Sequence, residues 1–298
     1  MGLDDFKNNK DKPINTLIVA GTLCLICALI VSSAATILKS FQETNITLDR
    51  KKNLLLVAGF TDEATSGKAA IEAAYKENFE ATIIDLNTGE VALEECKEAL
   101  KALGKTYADD AELIAKYDQF KLAGTKNDKV ADLVVKKENI CNLKSREKFS
   151  HVYTVKGEGG AVRTYIFPVR GYGLWSMMRG FLAVKPDFQT VEGIVFYDQA
   201  ETPGLGAEVK SKLFTDEWPG KQLYTDNGEV QIRVIKNADD DHSISALSGA
   251  TITSNGVTNA MKYWMGPAGF KNYIDRQKSG GAKETSSVTT SVKGVNNG

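Results

Sequence analysis

The sequence predicts an α+β domain with a mainly antiparallel sheet and flanking helices, following a single N-terminal transmembrane helix. Three observations carry this. The run Pro13–Leu38 holds no charged residue, and at about 1.5 Å per residue a helix of that length crosses a hydrocarbon core of about 30 Å. β-Branched and aromatic residues concentrate between Val152 and Phe196, as strands require. Helical patterns lie on both sides of that stretch without the regular strand–helix alternation of a parallel sheet.

Composition narrows the function. The 298-residue chain is 42 % hydrophobic and 25 % charged, enough to bury a sizeable core in one or two domains. Lys+Arg number 37 against 38 Asp+Glu, a net charge of −1, so no basic field exists to recruit a phosphate backbone and nucleic acid is not an expected partner. Cys24 and Cys27 form a C-x-x-C inside the apolar run, where thiols pack as small apolar groups. Cys96 and Cys141 could pair in an oxidising compartment, and their spacing argues neither way. The two histidines, His151 and His242, read as surface or interface residues. Neither catalytic side chains nor a metal site are expected, because no Ser-His-Asp set or metal-ligand cluster is spelled out.

Residues 1–12 form a short polar N-terminus in which Lys7, Lys10 and Lys12 are offset by Asp4, Asp5 and Asp11. Residues 13–38 are the membrane helix. Ser33-Ala34-Ala35 imitates a cleavage site, but a signal peptide's apolar region runs only about 7–15 residues, so an uncleaved anchor in the lipid bilayer is expected. Lys39, Arg50, Lys51 and Lys52 compete with the N-terminal lysines, and charge alone does not orient the helix. Residues 39–60 read as a connector, juxtamembrane over Phe41–Lys52 and docking over Asn53–Phe60.

Residues 61–150 form a helical and mixed region packing on the main domain. Thr65 or Ser66 can cap a helix with Ala69, Ala70, Ala73, Ala74 and Phe79 on one side. Ala81–Leu86 is extended and turns at Asn87-Thr88-Gly89. Val91–Leu103 and Asp110–Tyr117 are surface helices with solvated charges.

The main domain covers residues 151–278. Thr164–Val169 is a strand whose Pro168 suggests an edge or a strand end. Gly171–Gly180 is a glycine-punctuated loop carrying large apolar side chains, followed by Phe181–Val184. Val191–Tyr197 is apolar on both faces except Glu192, which predicts a central, covered strand. Thr202-Pro203-Gly204-Leu205 fits a type II turn, with Gly204 at the position needing positive φ, and Gly206 permits a second close approach. Phe214–Trp218 reads as an exposed amphipathic turn and Val230–Ile235 as a half-buried strand. Residues 279–298, rich in Ser, Thr, Gly and Asn, are expected to be a disordered tail.

The functional centre lies in Ser245–Val257. Val257, Ala260, Met261 and Trp264 share one helical face, and Thr253 or Ser254 is placed to cap the first turn. Thr251 then stands just outside a helix N-terminus, where free N–H groups and the helix dipole favour an anion. Gly249 and Ala250 leave room for a bulky group such as a phosphate. Alone, such a run is a polar loop with an N-cap.

Ser248-Gly249-Ala250-Thr251, with Thr253, resembles the flavinylation motif of the FMN-binding domains of sodium-translocating NADH:quinone reductases and the related Rnf complexes. Glu201-Thr-Pro-Gly-Leu-Gly206 matches that family's second signature, and Gly173-Leu174-Trp175-Ser176 resembles its preceding loop. Lys51–Phe60 looks like the segment that follows the membrane helix in the reductase's C subunits. Together the likeness runs from the anchor to about Tyr273. The family usually carries an acidic residue three positions before the motif serine, where this chain has Ser245, with Asp239, Asp240 and Asp241 close by.

This resemblance implies covalent FMN, held as a phosphoester on Thr251, with the phosphate against Ser248, Gly249, Ala250, Thr253 and the helix start. It implies that Thr202, Gly204 and Leu205 wall one side of the flavin and that Gly173, Leu174 and Trp175 form an apolar rim. The chain is then an electron-transfer subunit on the route from NADH to quinone, coupled to sodium export. Its implied partners are the other membrane subunits and a flavin transferase. Its implied place is the bacterial inner membrane, single-pass, with the flavin domain on the periplasmic side. Three alternatives stand beside this: an Rnf-type subunit between ferredoxin and NAD, a non-catalytic flavin-binding regulatory module, and a structural anchor that has lost its flavin, which Ser245 makes thinkable. Lys51–Phe60 and the chain's length favour the quinone reductase. A free-standing dehydrogenase usually needs a Gly-rich nicotinamide unit, which the sequence does not contain.

Overall fold

The structure is a computed structural model describing residues 13–125, 127–134 and 139–280. The polar N-terminus (residues 1–12) and all but the start of the expected tail (281–298) lie outside the described residues. The chain divides into two compact units, the first ending at Arg50 and the second starting at Lys51.

The described residues of the first unit are helical. They belong to α1, Pro13–Val57, an unbroken helix of 45 residues. Proline suits its first position, since an N–H there has no intrahelical acceptor. Pro13–Lys39 is long and apolar enough to cross a membrane, and Leu17, Leu25, Leu29 and Ile30 stand exposed on it, as do Cys24 and Cys27. The expected connector is helical through Val57.

In the second unit Leu54, Leu55 and Val57 are buried. Gly59, at φ 85°, turns the chain out of the helix while the Phe60 N–H donates to Leu55 O at 2.9 Å. Two helices follow, α2 (Thr61–Thr65) and α3 (Lys68–Asn78). Thr65 and Ser66 do not cap α3. Their hydroxyls donate back to Thr61 O and Asp62 O at the start of α2, and the N-cap of α3 is Gly67.

The chain next forms β1 (Phe79–Asp85), α4 (Leu93–Lys101), α5 (Asp110–Lys116), α6 (Gln119–Ala123), β2 (Ala131–Leu133) and β3 (Ser145–Glu147). Then come β4 (Phe149–Lys156), β5 (Val162–Tyr172), β6 (Met177–Val184) and β7 (Val191–Asp198). A five-stranded antiparallel sheet has the order β1-β4-β5-β6-β7, as the α+β reading expects. Alternation across the pleat sorts residues onto two faces. Ile83 and Phe149 join Cys96, Leu100, Leu113 and Tyr117 in a core under α4 and α5. Ile84, Val152, Phe167 and Leu182 join the larger core that holds Trp218 and Trp264.

Several expectations reverse here. The strand bearing Pro168 is central, not an edge. The β4 ladder ends at the Tyr153–Ile166 pair, so the N–H that Pro168 lacks is not needed on that side. The expected central strand is instead β7, at the sheet margin. Its apolar character follows from cover on its faces: Val191, Ile194 and Phe196 pack into the larger core, and a Cβ at Gly193 would meet Val57 O at 3.1 Å. Phe214 and Trp218 are buried rather than exposed, because the short helix α7 (Lys212–Thr215) and the turn that follows it, closed by the Trp218 N–H on Thr215 O, bring both rings into the larger core. His151 is buried too, its Nδ1 3.0 Å from Gln119 Oε1 and its Nε2 2.9 Å from Ile114 O. His242 is half-buried against Gln222 O. Cys96 and Cys141 are free thiols in separate cores, and burial pushes each up to about 12.

The C-terminal part adds β8 (Arg233–Ile235) running parallel to β9 (Ser243–Ser245), then α8 (Thr251–Trp264) and α9 (Lys271–Lys278). Helix α8 crosses the end of β5, and Trp264 Nε1 donates to Arg170 O at 2.6 Å.

Candidate functional site

Thr251 is the first residue of α8 rather than the residue outside it, and Ala250 is the N-cap. Alanine has no side-chain acceptor, so no side chain caps this start. The two expected capping hydroxyls are engaged elsewhere. Ser254 accepts from the Leu247 N–H at 3.0 Å and donates to Ala250 O at 3.1 Å. Thr253 is buried and donates to Glu201 Oε2 at 2.7 Å. Ser248, Gly249, Thr251 and Ile252 face outward.

Small residues fix the position of α8. A Cβ at Gly256 would lie 2.3 Å from Tyr172 O, and one at Gly171 would lie 3.1 Å from Ala260 Cβ. The helix therefore seats its first two turns directly on the backbone where β5 runs into the 173–176 loop. Thr258 ties its next turn to β8, accepting from the Val234 N–H at 2.9 Å.

Glu201 joins the expected segments. Its side chain is 5 % exposed, and its two oxygens accept from the N–H groups of Leu174 (3.0 Å), Trp175 (3.0 Å) and Ser176 (2.9 Å). The Ser176 hydroxyl donates to it at 2.9 Å, and the Thr253 hydroxyl supplies a fifth bond. Packing leaves no slack, since a Cβ at Gly173 would meet Glu201 Cδ at 2.7 Å and one at Gly206 would meet Thr253 Oγ1 at 2.6 Å. Burial pushes the Glu201 carboxyl up, but the Thr253 hydroxyl and the three N–H groups outweigh it and hold the group below the usual carboxylate range.

The turn after Glu201 has the expected form: the Leu205 N–H donates to Thr202 O at 3.1 Å and Gly204 has φ 74°. Leu205 leans on Gly249, whose own φ is 70° and whose Cβ would stand 2.9 Å from Leu205 Cδ2. Thr202, Leu174, Trp175 and Leu205 are exposed, Trp175 at 70 %. The structure thus gathers Gly173–Trp175, Thr202–Leu205 and Ser248–Thr251 around one buried carboxylate. Ser245, standing where an acidic residue is usual, has its N–H bonded to Glu217 Oε2 at 2.8 Å.

Sequence reasoning missed the parts of Glu201 and Ser176. Both lie inside the quoted signatures, yet only the tertiary fold shows them meeting. The available signal was an acidic residue directly before a turn of small residues, with nothing basic beside it to pair with.

Residues 173–266 match the FMN-binding domain family. Over 275 residues the chain is 39 % identical to the C subunit of the Na(+)-translocating NADH-quinone reductase of Pasteurella multocida, covering 91 % of this chain and 97 % of that protein. The chain belongs to this family of reductase C subunits. The Neisseria meningitidis member is 38 % identical over 93 % of this chain and 99 % of its own length. The crystal structure of Shewanella oneidensis NqrC superposes with a TM-score of 0.65 at 29 % identity, covering 77 % of this chain and 96 % of that one. The structure of the Parabacteroides distasonis member, at 24 % identity and a TM-score of 0.57, shares the fold. The FMN-binding match begins at Gly173, so it contains all three gathered segments together with Glu201. Membership in a membrane reductase also accounts for the apolar half of α1, which anchors the chain in a membrane.

Proposed function

We propose that this chain carries FMN as a phosphoester on Thr251 Oγ and relays electrons from NADH toward quinone in a reductase that exports sodium. The observation that supports it most is the start of α8: an exposed threonine at the first position of an uncapped helix, next to Gly249 and Leu205. Such a start offers main-chain N–H groups and a positive dipole end to a phosphate. The residues present fit the group. Ser248, Gly249 and Ala250 border the phosphate position, and Thr253 contributes through its main chain, since its hydroxyl is committed to Glu201. Thr202, Gly204 and Leu205 wall one side, with Gly173, Leu174 and Trp175 as the rim. FMN, when bound, supplies the redox chemistry, and the protein's part is to orient and shield it.

Attachment needs an activated donor. Thr251 Oγ would form the new P–O bond to the flavin phosphate of a phosphoanhydride donor, the anhydride P–O bond would break with the donor's second phosphate departing as the leaving group, and a base on the transferase would take the hydroxyl proton. The domain lies on the periplasmic side of the inner membrane with the N-terminus inside, where a tether prevents irrecoverable loss of the flavin. Partners are the other members of the reductase complex, the transferase and the bilayer around α1.

The test is fluorescence of the denatured full-length chain on a gel, with its intact mass. A flavin band lost in Thr251→Ala and kept in Thr202→Ala is expected. An unmodified Thr251 in a complex that still conducts electrons overturns the proposal.

A further inference from the structure

We propose that Glu201 is the positioning residue of the site, the one group whose carboxylate sets the 173–176 loop and the first turn of α8 in register with each other. For its flavin consequences the inference rests on the Thr251 reading; for its mechanical ones it does not.

The geometry argues this directly. Three consecutive main-chain N–H groups, from Leu174, Trp175 and Ser176, converge on one carboxylate, an arrangement that forms an anion nest in the backbone. An anion from within the chain fills it. The same carboxylate takes the hydroxyl of Thr253, two residues beyond Thr251 and in the same helical turn. The Ser176 hydroxyl donates to Glu201 and accepts from the Ala200 N–H at 2.8 Å, so the approach to Glu201 is bound as well. No cation takes part in any of these bonds. Because the N–H groups of residues 174 and 175 point inward to Glu201, their side chains are turned outward, which is why Leu174 and Trp175 are exposed. Glu201 thereby fixes where the apolar rim stands relative to the Thr251 hydroxyl without facing the ligand itself.

Two readouts separate positioning from general support. The first needs no flavin: amide hydrogen exchange of the full-length chain in detergent, comparing wild type with Glu201→Gln, Thr253→Val and Thr253→Ser. Glutamine keeps the shape of glutamate but sets an NH2 group against N–H donors. Exchange at residues 174–176 is expected to rise by about tenfold or more in Glu201→Gln, as for a lost charge-assisted hydrogen bond, with β5 and β6 amides unchanged. The second is the rate of covalent flavin incorporation with the transferase present. It is expected to fall by about tenfold in Glu201→Gln and in Thr253→Val, as for a misplaced reacting group, and to recover in Thr253→Ser, which restores the hydroxyl.

Unchanged exchange at residues 174–176 in Glu201→Gln refutes the clamp. So does wild-type incorporation in Thr253→Val. If Glu201→Gln unfolds throughout, the Thr253 pair decides alone: loss in valine with recovery in serine supports the proposal, and loss in both refutes it. A wild-type chain that takes no flavin refutes the ester, while the exchange experiment still judges Glu201.

Discussion

Among the described residues two carboxylates are buried, Glu147 and Glu201, and they are opposite in construction. Glu147 on β3 is fully buried and lies against Arg170 of β5, whose Nη2 and Nε donate to it at 2.6 and 3.1 Å. Gln119 of α6 donates to its other oxygen at 3.1 Å. Among the described residues no cation bonds to Glu201, which is held by main-chain N–H groups and hydroxyls. The difference is in what each arrangement constrains. A side-chain ion pair requires its partner's identity and so ties together elements of the scaffold. A carboxylate on main-chain donors leaves the loop's side chains unspecified, so residues 174 and 175 can present whatever the surface needs. The first holds a fold, the second a site.

The contrast breaks first, and with the largest effect, at Glu147. Glu147→Ala leaves the Arg170 guanidinium buried without its counter-charge, an expected loss of about 3–5 kcal/mol, measured by denaturant melts. The protein that remains folded is expected to keep its normal flavin content. A normal melt, or loss of flavin without loss of stability, erases the distinction.

Gly256→Ala lies between the two roles. Its Cβ meets a main-chain oxygen at 2.3 Å, which cannot yield as a flexible side chain does, so α8 must lift from β5 at a cost of about 1–3 kcal/mol. Both the melting temperature and flavin incorporation should fall. Gly249→Ala acts nearer the ligand. At φ 70° a side chain costs about 1–2 kcal/mol, and the new methyl displaces Leu205, so incorporation should suffer more than the melt; the reverse order would place Gly249 in the scaffold.

The smallest effect is a titration. Glu201 has its folded-state pKa below the ordinary 4.5, so its stabilisation is fully present above that value and is lost as pH falls through the lower one. Melting temperatures from pH 7 down to pH 3 should show the gap between wild type and Glu201→Gln closing only on the acid side. A gap constant over the whole range excludes charge as the origin of the effect.

Much of the site was legible because its residues act locally. The type II turn at Thr202–Leu205 follows from Pro203 and Gly204, and α8 follows from the spacing of Val257, Ala260, Met261 and Trp264. The capping roles of Thr253 and Ser254 were misplaced because a hydroxyl near a helix start has several acceptors in reach, and only the packed neighbours select one. The strand order was misread for a related reason. Pro168 marks an edge only if both flanking ladders extend past it, and β7 is apolar at the sheet margin because Val191, Ile194 and Phe196 pack into the larger core while Gly193 abuts Val57, with no further strand beside it in the sheet.

Sequence by itself determined the apolar helix, the antiparallel α+β class, the two glycine-bearing turns and the threonine ahead of an apolar helical face, because period, turn chemistry and composition are properties of adjacent residues. Only the tertiary structure decided that Glu201 and Thr253, 52 positions apart in the chain, share a hydrogen bond with the 173–176 loop around them. A buried carboxylate takes its donors from whatever the fold brings within about 3 Å, and no pattern along the chain records that choice.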